Sequence, residues 1–246
     1  MAVISVATNP WVPLLAAACA RPCGRAGVPM AAIATDPATT KAADQLLEEV
    51  AKPERSLTTI AELVKTLEDA GLPPTAGKQK KALVGDWRVE YASDDAVIAP
   101  FLTGPLGPFT VLEGVIHSVK ETGEFNSIEV KRRLGPFGNS KQTLGGRWSI
   151  TSPAKEKRGA VVGKAERGGA ADVTTRWKAS YLIDSSGRER DAPSSSEVNE
   201  ARVAHASSRL LLLRIPADSI GEAGLLVFSK VQLKKVLDEF NVADPV

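Results

Sequence analysis

Side chains able to do chemistry are sparse in this 246-residue chain, and their spacing limits what they support. The two histidines, His117 and His205, stand far apart, each inside a strand-like stretch. A metal site would need both of them plus carboxylates from elsewhere; each reads more simply as a strand residue, buried in part or at the surface. Asp94-Asp95 is an adjacent carboxylate pair, the kind of grouping that does acid–base work. At the end of a strand, however, such pairs mostly serve as turn or helix caps. The run Gly159-Ala-Val-Val-Gly-Lys164 has the look of a phosphate loop, but three residues separate its glycines where four are needed, and Ala follows the lysine. No nucleophile elbow and no zinc-peptidase motif is present. These residues predict a non-enzyme, with no metal and no cofactor.

Charge and cysteines narrow the classes further. The formal net charge is +2, but residues 1–35 hold Arg21 and Arg25 and no acid, so the remainder balances 29 basic against 29 acidic residues. A nucleic-acid partner needs a basic surplus to replace the counterions on phosphates, and the body of the chain has none. Both cysteines, Cys19 and Cys23, fall in the same N-terminal stretch. They are either a redox or metal pair or, as their spacing without a nearby histidine favours, part of a segment that is removed.

That stretch reads as an organelle address. It is rich in Ala and small residues, carries arginine and lacks acids. Its apolar run, Trp11 to Ala20, contains Pro13 and is shorter than the roughly 20 residues a bilayer-spanning helix takes. A secretory signal would place its charge before the apolar run, whereas Arg21 and Arg25 follow it. Val28-Pro-Met-Ala-Ala32 is the expected processing region, and composition leaves chloroplast and mitochondrion both open.

The elements that must position any site come next. Residues 38–70 read as two helices broken at Pro53: Leu46, Leu47 and Val50 form one apolar face, and Ile60, Leu63, Val64 and Leu67 recur at helical spacing on the second. Thr59 with Glu62 has capping-box spacing, and Gly71 with Pro73-Pro74 stops the helix. From Gly85 the period changes to two. Strands are expected over Gly85–Tyr91, Val111–Val119, Ser127–Leu134, Leu144–Thr151 and Trp177–Ile183, then one bent strand or two over Glu200–Ile215, and Leu225–Phe228 last. Ser152–Gly169, with five basic residues, is an expected loop, and Asp184–Ser196 a solvated hairpin tip or loop. Leu233, Val236, Leu237 and Phe240 return to helical spacing. Many strands between Gly, Pro, Asp and Ser predict an antiparallel sheet closed into a barrel or a sandwich.

Four stretches in order carry a resemblance. Gly85-Asp-Trp87 matches the Gly-x-Trp that opens lipocalin-type barrels, where Gly lets the chain turn inward and the indole plugs the closed end. Gly85 to Asp95, Leu134 to Leu144, Gly221 to Lys230 and the helical preface ending in Leu67-Glu68 and Pro73-Pro74 resemble the plastid-lipid-associated, or fibrillin, family over roughly residues 42–232. The stretch Asp218-Ser-Ile-Gly-Glu222 departs from the Arg and Asp that many members carry there, and the basic insert is longer. The resemblance implies a mainly β fold: an antiparallel lipocalin-like barrel over residues 80–240, preceded by a helical segment at 36–75 and closed by a C-terminal helix, with residues 1–35 a chloroplast transit peptide. It implies a plastid protein in the stroma or peripheral on plastoglobules or thylakoids. Its partners would be an apolar lipid (isoprenoid, carotenoid, quinone or acyl) or a lipid surface, or else a lipid-biosynthetic enzyme. An isoprenoid-modifying enzyme in such a barrel is the third possibility, requiring an acid–base group at the cavity floor.

Alternation within this frame selects the inward residues. Trp87, Val89, Tyr91, Trp177, Ala179, Tyr181 and Ile183 share one phase, and Trp148 joins them; an eight-stranded barrel leaves room for one small ligand among such side chains, or is filled by them. Arg132 is in phase with Ile128, Val130 and Leu134, so it either meets a ligand head group or is turned outward by a bulge. The apolar loop from Pro100 to Phe109, with Phe101, Leu102, Leu106 and Phe109, is a lid, a lipid-docking patch or a segment tucked into the core. The basic insert beside it would assist contact with anionic head groups.

Overall fold

The computed structural model describes residues 36–72, 76–103, 110–133, 139–151, 173–192, 199–215 and 224–240. The address segment, the 152–169 insert, Leu106, Phe109, Leu134, Asp218 and Glu222 lie outside them. Two helices open the described chain, α1 (Pro37–Ala51) and α2 (Leu57–Ala70). Ser56, not Thr59, caps α2: its side chain accepts the Thr59 amide at 3.2 Å. The correction follows from geometry, since an N-cap oxygen reaches the amide three residues on, and Ser56 stands one residue before the helix. A short third helix, α3 (Ala76–Leu83), was not foreseen, because its sequence Ala-Gly-Lys-Gln-Lys-Lys-Ala-Leu has almost no apolar face.

Nine antiparallel strands follow: β1 (Gly85–Ala92), β2 (Thr110–Val119), β3 (Glu124–Arg133), β4 (Asn139–Thr151), β5 (Thr174–Ile183), β6 (Glu189–Asp191), β7 (Asn199–Ala206), β8 (Leu210–Ile215) and β9 (Gly224–Val231). Between β1 and β2 come a one-turn helix, α4 (Asp95–Ile98), and a 3₁₀ turn, Ala99–Phe101. Helix α5 (Leu233–Glu239) ends the described chain. The strands form one sheet in the order β4-β3-β2-β1-β9-β8-β7-β5-β6, and β4 also pairs with β5, so the sheet closes into a ring. The 184–196 stretch, expected as a hairpin tip or a loop, holds the turn of the β5–β6 hairpin and β6 itself; β6 and β7 lie on the same edge of β5, opposite its β4 edge.

The ring is uneven. β1 meets β2 only from Gly85 to Arg88, and β5 meets β7 only from Thr174 to Trp177. Beyond Arg88, β1 pairs with β9 alone and β2 with β3 alone, so the seam between β1 and β2 is unpaired there.

Apolar residues fill both sides of this sheet. Inside are Trp87, Val115, Val119, Phe125, Leu144, Trp148, Trp177, Leu211, Leu213, Leu226 and Phe228. Outside, Leu46, Val50, Ile60, Val64 and Leu67 of α1 and α2 cover Leu210, Leu212, Leu225 and Val227. The run Leu210–Leu213 shows no alternation because both of its faces are buried. Elsewhere on the outside, Val236 of α5, with Leu233, Leu237 and Phe240, packs on Ile116 and Ile128.

Candidate functional site

The entry into the ring is built as the opening tripeptide requires. Gly85 has φ +138°, a left-handed value that side-chain-bearing residues avoid, and a Cβ there would meet the Lys230 side chain. Trp87 is fully buried and donates its indole N–H to the Leu83 carbonyl at 2.8 Å. Lys230 lies 5.0 Å above the Trp87 ring and donates to the Val84 carbonyl at 3.1 Å, sealing that end.

Beyond Trp87 the interior is an aromatic stack. Trp177 packs edge-on to Phe125 at 5.3 Å and stacks with Trp148 at 6.1 Å. The Trp148 and Trp177 indole N–H groups donate to the Lys120 carbonyl and the Thr175 hydroxyl at 2.9 and 3.1 Å. His117, opposite Trp87 on β2, enters the same stack: its ring centroid is 4.8 Å from Phe101, 5.1 Å from Phe228 and 6.0 Å from Trp177. It is 2% exposed, and its Nε2 has no hydrogen-bond partner among the described residues. Burial pushes its pKa down from 6.5 to about 3, so the imidazole is neutral.

Phe101 comes from the segment that joins β1 to β2 and is 1% exposed. From Asp95 to Thr103 this segment forms an internal strap: Val97, Ile98 and Phe101 belong to the interior cluster. A column of polar residues on β3 holds it. Ser127 Oγ donates to the Phe101 carbonyl at 2.8 Å, and the Thr103 amide donates to Glu129 Oε1. Thr103 Oγ1 lies 2.8 Å from Glu129 Oε2 and 2.7 Å from Gln142 Oε1, and accepts from Lys131 Nζ at 2.9 Å. Lys131 Nζ also pairs with Glu129 at 2.5 Å, and both side chains are nearly fully buried. This explains the polar column: a strap inside a ring carries backbone groups that no strand satisfies, so neighbouring side chains must bond them.

The expected inward set divides. Trp87, Val89, Trp148, Trp177 and Ala179 lie with the interior cluster. Tyr91 does not: the β1–β9 register slips between Val89 and Tyr91, which turns the tyrosine onto the outer helical cluster, under Arg55. Tyr181 is turned by a second slip, at Gly145–Gly146, and lies over Gly145 with its hydroxyl 2.9 Å from Asn126 Oδ1. A bulge shifts the face by one residue, and alternation read from sequence cannot register it. On β3 the phase is inverted. Ile128 packs on α5, and Arg132 Nε pairs with Glu113 Oε1 at 2.7 Å with 40% of its side chain exposed. The inward column is Phe125, Ser127, Glu129 and Lys131, because α5 takes the apolar side and the strap takes the polar one. Of the lid residues, Phe101 is core and Leu102 packs against it. His117, Glu129 and Lys131 were missed as interior residues. His117 alone had a signal, since it shares the phase of Val115 and Val119.

The other buried histidine, His205, bonds the Leu67 carbonyl of α2 through Nδ1 at 3.1 Å, which fastens α2 to the ring. Among the described residues, no three of His, Cys, Asp and Glu are grouped to hold a metal ion. Compared with known proteins, the chain matches no family model and no curated protein.

Proposed function

We propose that this is a non-enzymatic, plastid lipid-associated protein with a lipocalin-like ring, which binds or coats apolar lipids at plastoglobules or thylakoids. The observation that carries the reading is the interior itself. It is aromatic and aliphatic, and it is closed by a non-sheet strap whose attachment to β3 is polar. Sheet pairing would have to break to open the ring elsewhere, whereas releasing the strap parts side-chain bonds and uncovers Val97, Ile98 and Phe101 without breaking a strand ladder. The inward carboxylate that an enzymatic reading needs is Glu129, and it is engaged by Lys131 and Thr103.

A second reading, a partner protein for a lipid-biosynthetic enzyme, is favoured by one observation: Phe101 and the strap already fill the interior, which leaves the outer surface to act. Flotation separates the two. The chain from about residue 31 onward, after the expected processing region, is mixed with phospholipid-coated triacylglycerol droplets and centrifuged. Co-flotation supports the lipid-associated reading; protein left at the bottom that instead captures a biosynthetic enzyme from plastid extract overturns it.

A further inference from the structure

Among the described residues, four buried side-chain polar atoms lack a hydrogen-bond partner, on Glu113, His117, Arg132 and His205, and of these His117 Nε2 belongs to the aromatic stack inside the ring. The three indoles of the ring all donate their N–H groups to protein oxygens, and the polar column of β3 is engaged by the strap. His117 Nε2, on a ring 2% exposed, has no partner among the described residues. Leaving a buried polar nitrogen unbonded is costly, and Phe in its place would stack on Phe101, Trp177 and Phe228 without that cost. The ring nearest to the His117 imidazole among its aromatic neighbours is that of Phe101, with centroids 4.8 Å apart, and Phe101 belongs to the strap.

We propose that Phe101 occupies the head subsite of an apolar ligand, and that the ligand displaces it and places a carbonyl or hydroxyl oxygen on His117 Nε2. The ligand class is thus an apolar molecule with a ring-sized head bearing one oxygen, as opposed to a plain hydrocarbon. Its head would lie among His117, Trp177, Phe125 and Phe228, in the volume the Phe101 ring now fills. A neutral imidazole suits either oxygen: Nε2 donates to a carbonyl in one tautomer and accepts from a hydroxyl in the other. Seating the ligand requires the strap to lift, which parts Ser127 from the Phe101 carbonyl and Thr103 from Glu129 and Lys131. Binding is therefore weakened by the fraction of molecules in which the strap is seated. This inference rests on the lipid-binding reading and goes further by naming the subsite and the ligand's polar end.

Calorimetric titration of the full chain with three probes of one shape tests it: para-butylacetophenone, para-butylbenzyl alcohol and the oxygen-free para-butylethylbenzene. Phe101→Ala, which empties the subsite, is expected to bind the ketone or the alcohol at least about tenfold more tightly than the unaltered chain does. Thr103→Val loosens the strap without changing the lining and is expected to move affinity the same way, should Phe101→Ala fail to fold. Adding His117→Phe to either variant is expected to weaken the oxygenated probe by about tenfold and to leave the hydrocarbon unchanged. Binding of all three probes irrespective of His117 overturns the inference while leaving lipid binding standing. Failure of every probe with every folded variant overturns both.

Discussion

His117 gives the interior a measurable pH signature. Its folded pKa is lowered by burial to about 3, against 6.5 for the free side chain, so the unfolded chain takes up the proton first. The stability tied to the neutral ring is present above about pH 6.5 and is lost as pH falls toward 3, at up to about 1.4 kcal/mol per pH unit. His205, also lowered by burial, acts in the same direction. Urea unfolding followed from about pH 7 to about pH 4 should therefore show a shallower loss in His117→Phe than in the unaltered protein; equal slopes would show that the native imidazole accepts its proton normally. Two neighbours on β3 give a second residue-scale expectation. Lys131→Ala leaves Glu129 buried without its cation and should cost roughly 3–5 kcal/mol. Arg132→Ala removes a partly exposed pair with Glu113 and should cost under about 1 kcal/mol. Comparable losses from the two, measured by the same unfolding curves, would contradict the inverted phase of this strand. That inversion was not legible in the sequence. Ile128 and Val130 look like a core-facing pair, and only the presence of α5 outside and the strap inside assigns them to the other face.

At the scale of elements, most of the outline was legible and the register was not. Strand-like stretches between turn residues located β1 through β5 and β7 through β9, with β4 beginning at Asn139, ahead of the expected Leu144, and helical spacing located α1, α2 and α5. Tyr91 and Tyr181 went astray for one reason: each follows a slip in strand pairing, and a slip leaves no mark on residue type. At the second slip a trace does exist, since Gly145 is needed where a Cβ would stand 2.1 Å from the Tyr181 ring, but a glycine pair alone does not say which neighbour lies over it. α1 and α2 belong to the fold and are not an appendage. Their leucines and valines cover Leu210, Leu212, Leu225 and Val227 on the ring's outer face, and Arg214 fastens to Glu68 at 2.9 Å. A chain that starts at Gly71 should therefore be aggregated when analysed by size-exclusion chromatography, because it exposes a continuous apolar strand face. A monodisperse, folded truncation would show that the ring stands without its helices.

For the whole molecule, three features meet in one volume. The sheet closes on itself, helices cover its outer face along β7, β8 and β9, and a strap of the chain's own backbone fills the interior. The alternating strands pointed to a barrel or a sandwich without deciding between them, the helical preface was legible without its resting place, and the strap was legible only as an apolar loop with three possible destinations. Its course depends on polar partners from β3 and β4 that lie 26 and 39 residues further along the chain from Thr103. No described helix is long and apolar enough to cross a membrane. The lipid-associated account makes its most direct claim about what the protein carries in the cell. The deciding measurement is mass spectrometry of an organic extract of the protein, purified without detergent from the cells that make it. The account predicts one isoprenoid or acyl lipid per chain, enriched over the surrounding membrane. Protein that arrives from those cells without a bound lipid would contradict it.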